Sequence, residues 1–162
     1  MKDRYLVLIS LVMVLVQTTL LQAIRIGDVI PNIMLIWLII AIVLFGRYAG
    51  IKTAIYAGVL TDVIIGKGLG THLLIYLTIA SIIALLEEKI FKDNYITPVV
   101  LIIATTALFH TMFLFIDYFA NGDIHIVRFL FGILLPEVIY NLAIGVVAYT
   151  TAFRIFMGYQ MR

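Results

Sequence analysis

The chain contains no cysteine, which excludes disulfides and cysteine-ligated metals but leaves its compartment open. Charge is scarce too. Asp, Glu, Lys and Arg together supply 12% of the 162 residues, where a soluble globular domain carries about a quarter. The basic residues stand singly between apolar runs and the net charge is only +2, so nucleic acid would find no electrostatic footprint. There is no low-complexity tract and no Pro/Gly/Ser-rich linker. The longest polar stretch, Glu87 to Asn94, is too short to be an extramembrane domain. Catalytic signatures are missing as well. The glycine cluster Gly66-Lys67-Gly68-Leu69-Gly70 lacks P-loop spacing and has no Ser or Thr after its lysine. No His-Glu-x-x-His, no Gly-x-Ser-x-Gly and no pair of carboxylates assignable to a cleft can be found. Neither an enzyme nor a bound cofactor is expected.

What the chain does have is apolar surface: 64% of its residues, more than a water-soluble fold of this size could cover. Lipid is its natural solvent. The apolar runs predict a single transmembrane domain over 1–162, an all-α bundle of about six spans at 5–24, 30–45, 51–65, 69–86, 95–119 and 127–156. A spanning helix needs about 20 residues. The second, third and fourth runs fall short of that and must borrow flanking residues or shelter inside the bundle. The first run follows Lys2 and Arg4 as a signal peptide would, but it is long and no small-x-small cleavage site follows cleanly, so it reads as a retained helix. With six spans and a cytoplasmic N-terminus, Lys2, Arg4, Arg47, Lys52, Lys89, Lys92, Arg154 and Arg162 fall inside. Arg25, Lys67 and Arg128 fall outside. That asymmetry favours both termini in the cytoplasm.

A carboxylate at the centre of a membrane helix costs roughly 2.5–3.5 kcal/mol, so such residues face the bundle interior by default. Asp62 lies in the third run and Glu137 in the sixth; His110 lies deep in the fifth, with Asp117 on the same helical face nearer the outer surface. These residues can form a structural hydrogen-bond network, grip a partner helix, bind a ligand or carry a proton. Gly50, Ala54, Gly58, Asp62 and Gly66 recur every four residues, with Gly70 one step further, and make a small-residue face suited to close helix contact, within the bundle or with another protein. In the sixth run Pro136 removes a backbone donor and frees the carbonyl of Gly132, so a bend is expected between them. Glu137, Asn141 and Gly145 share one face at i, i+4 spacing. Gln17, Thr18, Thr19 and Gln22 mark the outer end of the first helix, and Trp37 sits mid-run, where it suits packing.

The stretch Ala57-Gly58-Val59-Leu60-Thr61-Asp62, followed by Gly66-Lys67-Gly68-Leu69-Gly70-Thr71-His72, resembles the third-to-fourth helix region of the rod shape-determining protein MreD family. Pro31-Asn32 at the head of the second run and Leu135-Pro136 followed by Asn141 in the sixth are similar to that family too, so the likeness covers the chain in length, span count and motif order. Glu137 and His110 lie outside the family pattern. The resemblance implies a multi-pass protein of the bacterial inner membrane, part of the machinery that maintains rod shape and without a reaction of its own. Its implied direct partner is MreC, in a wider setting of RodA, a class B penicillin-binding protein and the MreB filament. Asp62 and its glycines would then be helix-packing or partner-contact residues.

A competing class is a small-molecule transporter subunit, because the family also resembles the S-components of energy-coupling-factor transporters in topology. The first run, however, has no Ala-x-x-x-Ala or other small-xxx-small pair, and the connection after it is expected to be only about five residues, little to form a lid. A third class is a homo-oligomer joined through the small-residue face of the third run.

Overall fold

The computed structural model describes residues 3–27, 29–65, 70–87, 90, 94, 96–121 and 126–160. Gly66 lies outside the described residues. The chain is all-helical, with no strand among them beyond one isolated bridge between Ile26 and Val29. Its helices are α1 (Asp3–Thr18), α2 (Ile33–Phe45), α3 (Arg47–Ile65), α4 (Thr71–Leu86), α5 (Ile96–Asn121), α6 (Ile126–Phe129) and α7 (Leu135–Gln160). A 3-10 turn, Leu20–Ile24, extends α1. A π-helical turn, Leu130–Leu134, joins α6 to α7, so the described chain makes six helical runs. Four of these are long and apolar enough to cross a membrane: Asp3–Ile24, Arg47–Ile65, Ile96–Phe119 and Ile126–Gly158.

The two short helices explain the architecture. α2 has 13 residues, hence about 20 Å of length, against a hydrocarbon core of about 30 Å. It is apolar on every side, and every residue from Ile33 to Leu44 is buried. A helix apolar all round belongs in an interior, and α2 is the axis of the bundle, packed by α1, α3, α4, α5 and α7. α4, with 16 residues, is also short of the core thickness and lies along α3. α3 reaches 19 residues by beginning at Arg47, drawing flanking residues into the helix.

The small-residue face of α3 is an internal contact. Gly50, Ala54, Gly58 and Asp62 are all buried. A Cβ on Gly58 would run into the backbone of Leu73 in α4, and one on Gly50 would run into the side chain of Ile42 in α2. In lipid, where apolar side chains gain little from meeting one another, this backbone-to-backbone approach supplies the packing.

The connection between α1 and α2 is longer than the five residues expected of it. From the end of the 3-10 turn it runs from Arg25 to Asn32, because α2 starts at Ile33 and not at residue 30. It also folds inward: Val29, Pro31 and Asn32 are buried. The run Ile30-Pro31-Asn32 is apolar enough to be read as helix, but Pro31 disfavours helical backbone at Ile30. Asn32, next in the chain, is the N-cap of α2.

At the start of α7 the proline meets a ready-made accommodation. The N–H of Leu135 bonds to the carbonyl of Leu130, a five-residue step, immediately before Pro136. The wider turn shifts the hydrogen-bond register where the proline has no donor and where its ring would crowd the carbonyl of Gly132.

Candidate functional site

Because α2 is shorter than the hydrocarbon core, a buried N-terminus would leave unpaired N–H groups in a medium without water. Three side chains supply the partners. Asn141 of α7 accepts the backbone N–H of Asn32 at 2.7 Å, Gln17 of α1 accepts that of Met34 at 3.2 Å, and Asn32 itself accepts that of Leu35 at 3.0 Å. Gln17 therefore turns inward from the end of α1, whereas the sequence suggested an interface marker. Thr18 and Thr19 instead bond back to carbonyls of α1.

Asp62 does the same for α4. Its carboxylate accepts the backbone N–H groups of Gly70 at 3.0 Å, His72 at 3.0 Å and Leu73 at 3.1 Å, and it lies 2.8 Å from Nδ1 of His72. Gly70 takes a positive φ of 96° to enter the helix at this angle, a conformation open to glycine at no steric cost. Negative charge at a helix N-terminus is favoured by the helix dipole, and charge-assisted bonds to three amides offset the burial of the carboxylate. Asp62 is 4% exposed, so its charge is spent inside the α3–α4 hairpin and is not presented to lipid. At the opposite end of the bundle Glu87 caps α3, accepting the N–H of Arg47 at 3.2 Å.

The amide of Asn141 ties the α2 cap to a second carboxylate. Its Nδ2 donates to Thr106 Oγ1 at 3.0 Å and to Glu137 Oε1 at 3.4 Å. Glu137 Oε2 lies 2.8 Å from His110 Nε2, and both side chains are 10% exposed. The separation is that of an ion pair, but the direction is poor for a hydrogen bond, and His110 Nε2 has no aligned acceptor. The two groups lie within ion-pair distance, and attract as opposite charges only when the imidazole is protonated and the carboxyl is not. Tyr76 of α4 completes the chain of contacts, donating to Asn32 Oδ1 at 3.3 Å. The ring of Phe109 stacks on Tyr76 and lies beside both His72 and His110.

One polar layer therefore crosses the bundle. It runs from Asp62 and His72 past Tyr76, Asn32 and Asn141 to Glu137 and His110, and draws on α2, α3, α4, α5 and α7. Among the described residues, no three His, Asp or Glu side chains converge as a metal site would need. Gly145 continues the Glu137–Asn141 face inward, close against Ile102 of α5. Pro136 stands at the start of α7 and sets the register from which Glu137 reaches the interior. Asp117 is exposed. Trp37 packs inside, its Nε1 donating to Ser10 at 3.2 Å.

His72, Tyr76 and Asn32 join this layer, and Gln17 joins the cap of α2, although the sequence singled out none of them as an interior partner. One signal was present: Asp62 and His72 flank a glycine-rich turn ten residues apart, and any hairpin there brings them together.

A family model described as rod shape-determining protein MreD matches residues 2–159. No curated protein and no solved structure matches the chain.

Proposed function

The chain belongs to the rod shape-determining protein MreD family, and from that premise we propose that it is a non-enzymatic, multi-pass component of the bacterial inner membrane that assembles the elongation machinery. The observation that carries this reading is the family match over nearly the whole chain, 2–159 of 162 residues. Family membership makes it a membrane protein concerned with cell shape. The proposal adds the partners. MreC binds directly, with RodA, a class B penicillin-binding protein and MreB in the wider complex. Both termini face the cytoplasm, in a six-span arrangement resembling an S-component.

The use of the buried polar groups agrees with an assembly role. Asp62, Asn141, Gln17 and Glu87 are each occupied in closing helix ends against one another. A bundle made rigid in this way suits a scaffold, whose surface must hold its shape while partners come and go. The packing face on α3 is consumed inside the bundle, so MreC would meet a different surface.

The test is affinity purification of the tagged chain from its native membranes in mild detergent, with co-purifying proteins identified by mass spectrometry. Recovery of MreC together with RodA or a penicillin-binding protein is the expected outcome. Recovery of a transmembrane coupling subunit with paired ATPases would overturn the reading in favour of small-molecule uptake.

A further inference from the structure

Glu137 and His110 are a carboxylate–imidazole pair of the polar layer that, unlike Asp62, closes no helix end. Asp62, Asn32, Asn141 and Gln17 are each engaged by backbone N–H groups; among the described residues this pair is not. The two groups lie 2.8 Å apart, each 10% exposed, inside helices that are long and apolar enough to cross a membrane. Their N–H and oxygen are close without being aligned. A buried pair of this kind is least costly when it carries one proton between its two members, because the pair is then neutral overall. A second proton leaves a buried cation and removes the attraction; loss of the first leaves a buried anion.

The backbone beside the pair departs from regular α register. The Leu130–Leu134 turn is π-helical and ends one residue short of Leu135, with Pro136 and Glu137 directly after it. Phe129, the residue before that turn, sets its ring edge-on to His110 at 6.1 Å. A π turn is an α-helix with one residue too many, and returning it to α register rotates the helix on its N-terminal side relative to the helix on its C-terminal side. The Glu137–His110 contact therefore sits directly beside the π turn.

The geometry points to a proton-operated latch: His110 and Glu137 form a single-proton site that holds α7 and its π turn against α5, and a second proton on Glu137 releases them. Among the described residues the other ionisable groups around the pair are few. α4 presents Tyr76, which interacts with both Glu137 and Asp62, and His72, which is committed to Asp62. α3 presents Asp62, already bound by three amides. α5 carries Asp117 two turns beyond His110, at an exposed position, and α6 carries Arg128 beside Gly132. α2 has no ionisable side chain, and offers only Asn32 at its cap.

The absence of cysteine makes the test direct. Phe115→Cys on α5 and Phe131→Cys in the π turn are both exposed positions, 63% and 69%, and can take spin labels. The distance distribution between the labels is measured in the full chain in lipid nanodiscs from about pH 8 to about pH 4, a range that spans ordinary imidazole and carboxyl titration. A second distance population growing as pH falls is expected, and the response should be lost in Glu137→Gln and in His110→Gln. A distribution indifferent to pH overturns the proposal, as does a response that survives either substitution. If one variant fails to fold, the other and the pH series of the parent chain still decide. A purely structural pair would lower stability when substituted but would give no pH-dependent distance.

Discussion

Asn141 in α7 accepts the backbone N–H of Asn32 at 2.7 Å across 109 residues of chain, and through that one bond the sixth helical run caps the second. The same amide donates to Thr106, so α2, α5 and α7 meet at a single side chain that is fully buried. Asn141→Ala would leave the Asn32 N–H and the Thr106 hydroxyl without partners in a medium that cannot replace them. A loss of about 2–4 kcal/mol in unfolding free energy, measured in detergent, is expected. Asn141→Gln keeps the chemistry but lengthens the arm, and should fall between Asn141→Ala and the parent chain.

Asp62 gives the corresponding prediction for the α3–α4 hairpin. Asp62→Ala removes the acceptor for three amides and should cost about 3 kcal/mol. Asp62→Asn retains one acceptor oxygen and should recover part of that loss. Thermal unfolding of the two variants in the same detergent tests this. Equal destabilisation by both would mean that the charge, and not the number of acceptors, holds the turn.

Much of this fold was legible because apolar runs and small-residue spacing are local signals. The recurrence of Gly50, Ala54, Gly58 and Asp62 marked a contact face, and Asp62 announced itself by being a carboxylate among apolar neighbours. Pro136 raised the expectation of a bend; what the structure places just before it is a π turn. What stayed hidden was partner choice through space. Gln17 looked like an interface residue because it ends an apolar run. It faces inward only because α2 is too short to bring its own N-terminus to water, and that shortness depends on Pro31 and Asn32 being loop and cap, not helix. Glu87 was likewise only the first residue of the longest polar stretch, although it closes α3. The pairing of Glu137 with His110 needed the relative rotation of α5 and α7, which no periodicity in either helix specifies.

Gln17→Leu probes that hidden part. Leucine fills nearly the same volume, so the packing of α1 survives while the Met34 N–H loses its acceptor. The expected cost is about 1–3 kcal/mol. Hydrogen exchange should report it at the start of α2, with faster exchange at Met34 while the amides of α4 are unchanged. Slower or unchanged exchange at Met34 would show that another group takes the place of Gln17.

Gly58→Ala is the sharpest steric prediction. The added Cβ would meet the backbone of Leu73, which is not the tip of a flexible side chain, so α3 and α4 must move apart for it to fit. Overpacking of this kind typically costs about 1–3 kcal/mol. Separation would also pull the Asp62 carboxylate away from the amides of Gly70, His72 and Leu73, so the steric and capping losses are coupled. The Gly58→Ala, Asp62→Ala double variant should therefore lose less than the sum of the single losses, because the cap is already weakened when the helices part. Strict additivity in unfolding measurements would mean that the α3–α4 turn holds its geometry independently of the packing beneath it. The small-residue face and the acidic cap would then be two separate devices, not one.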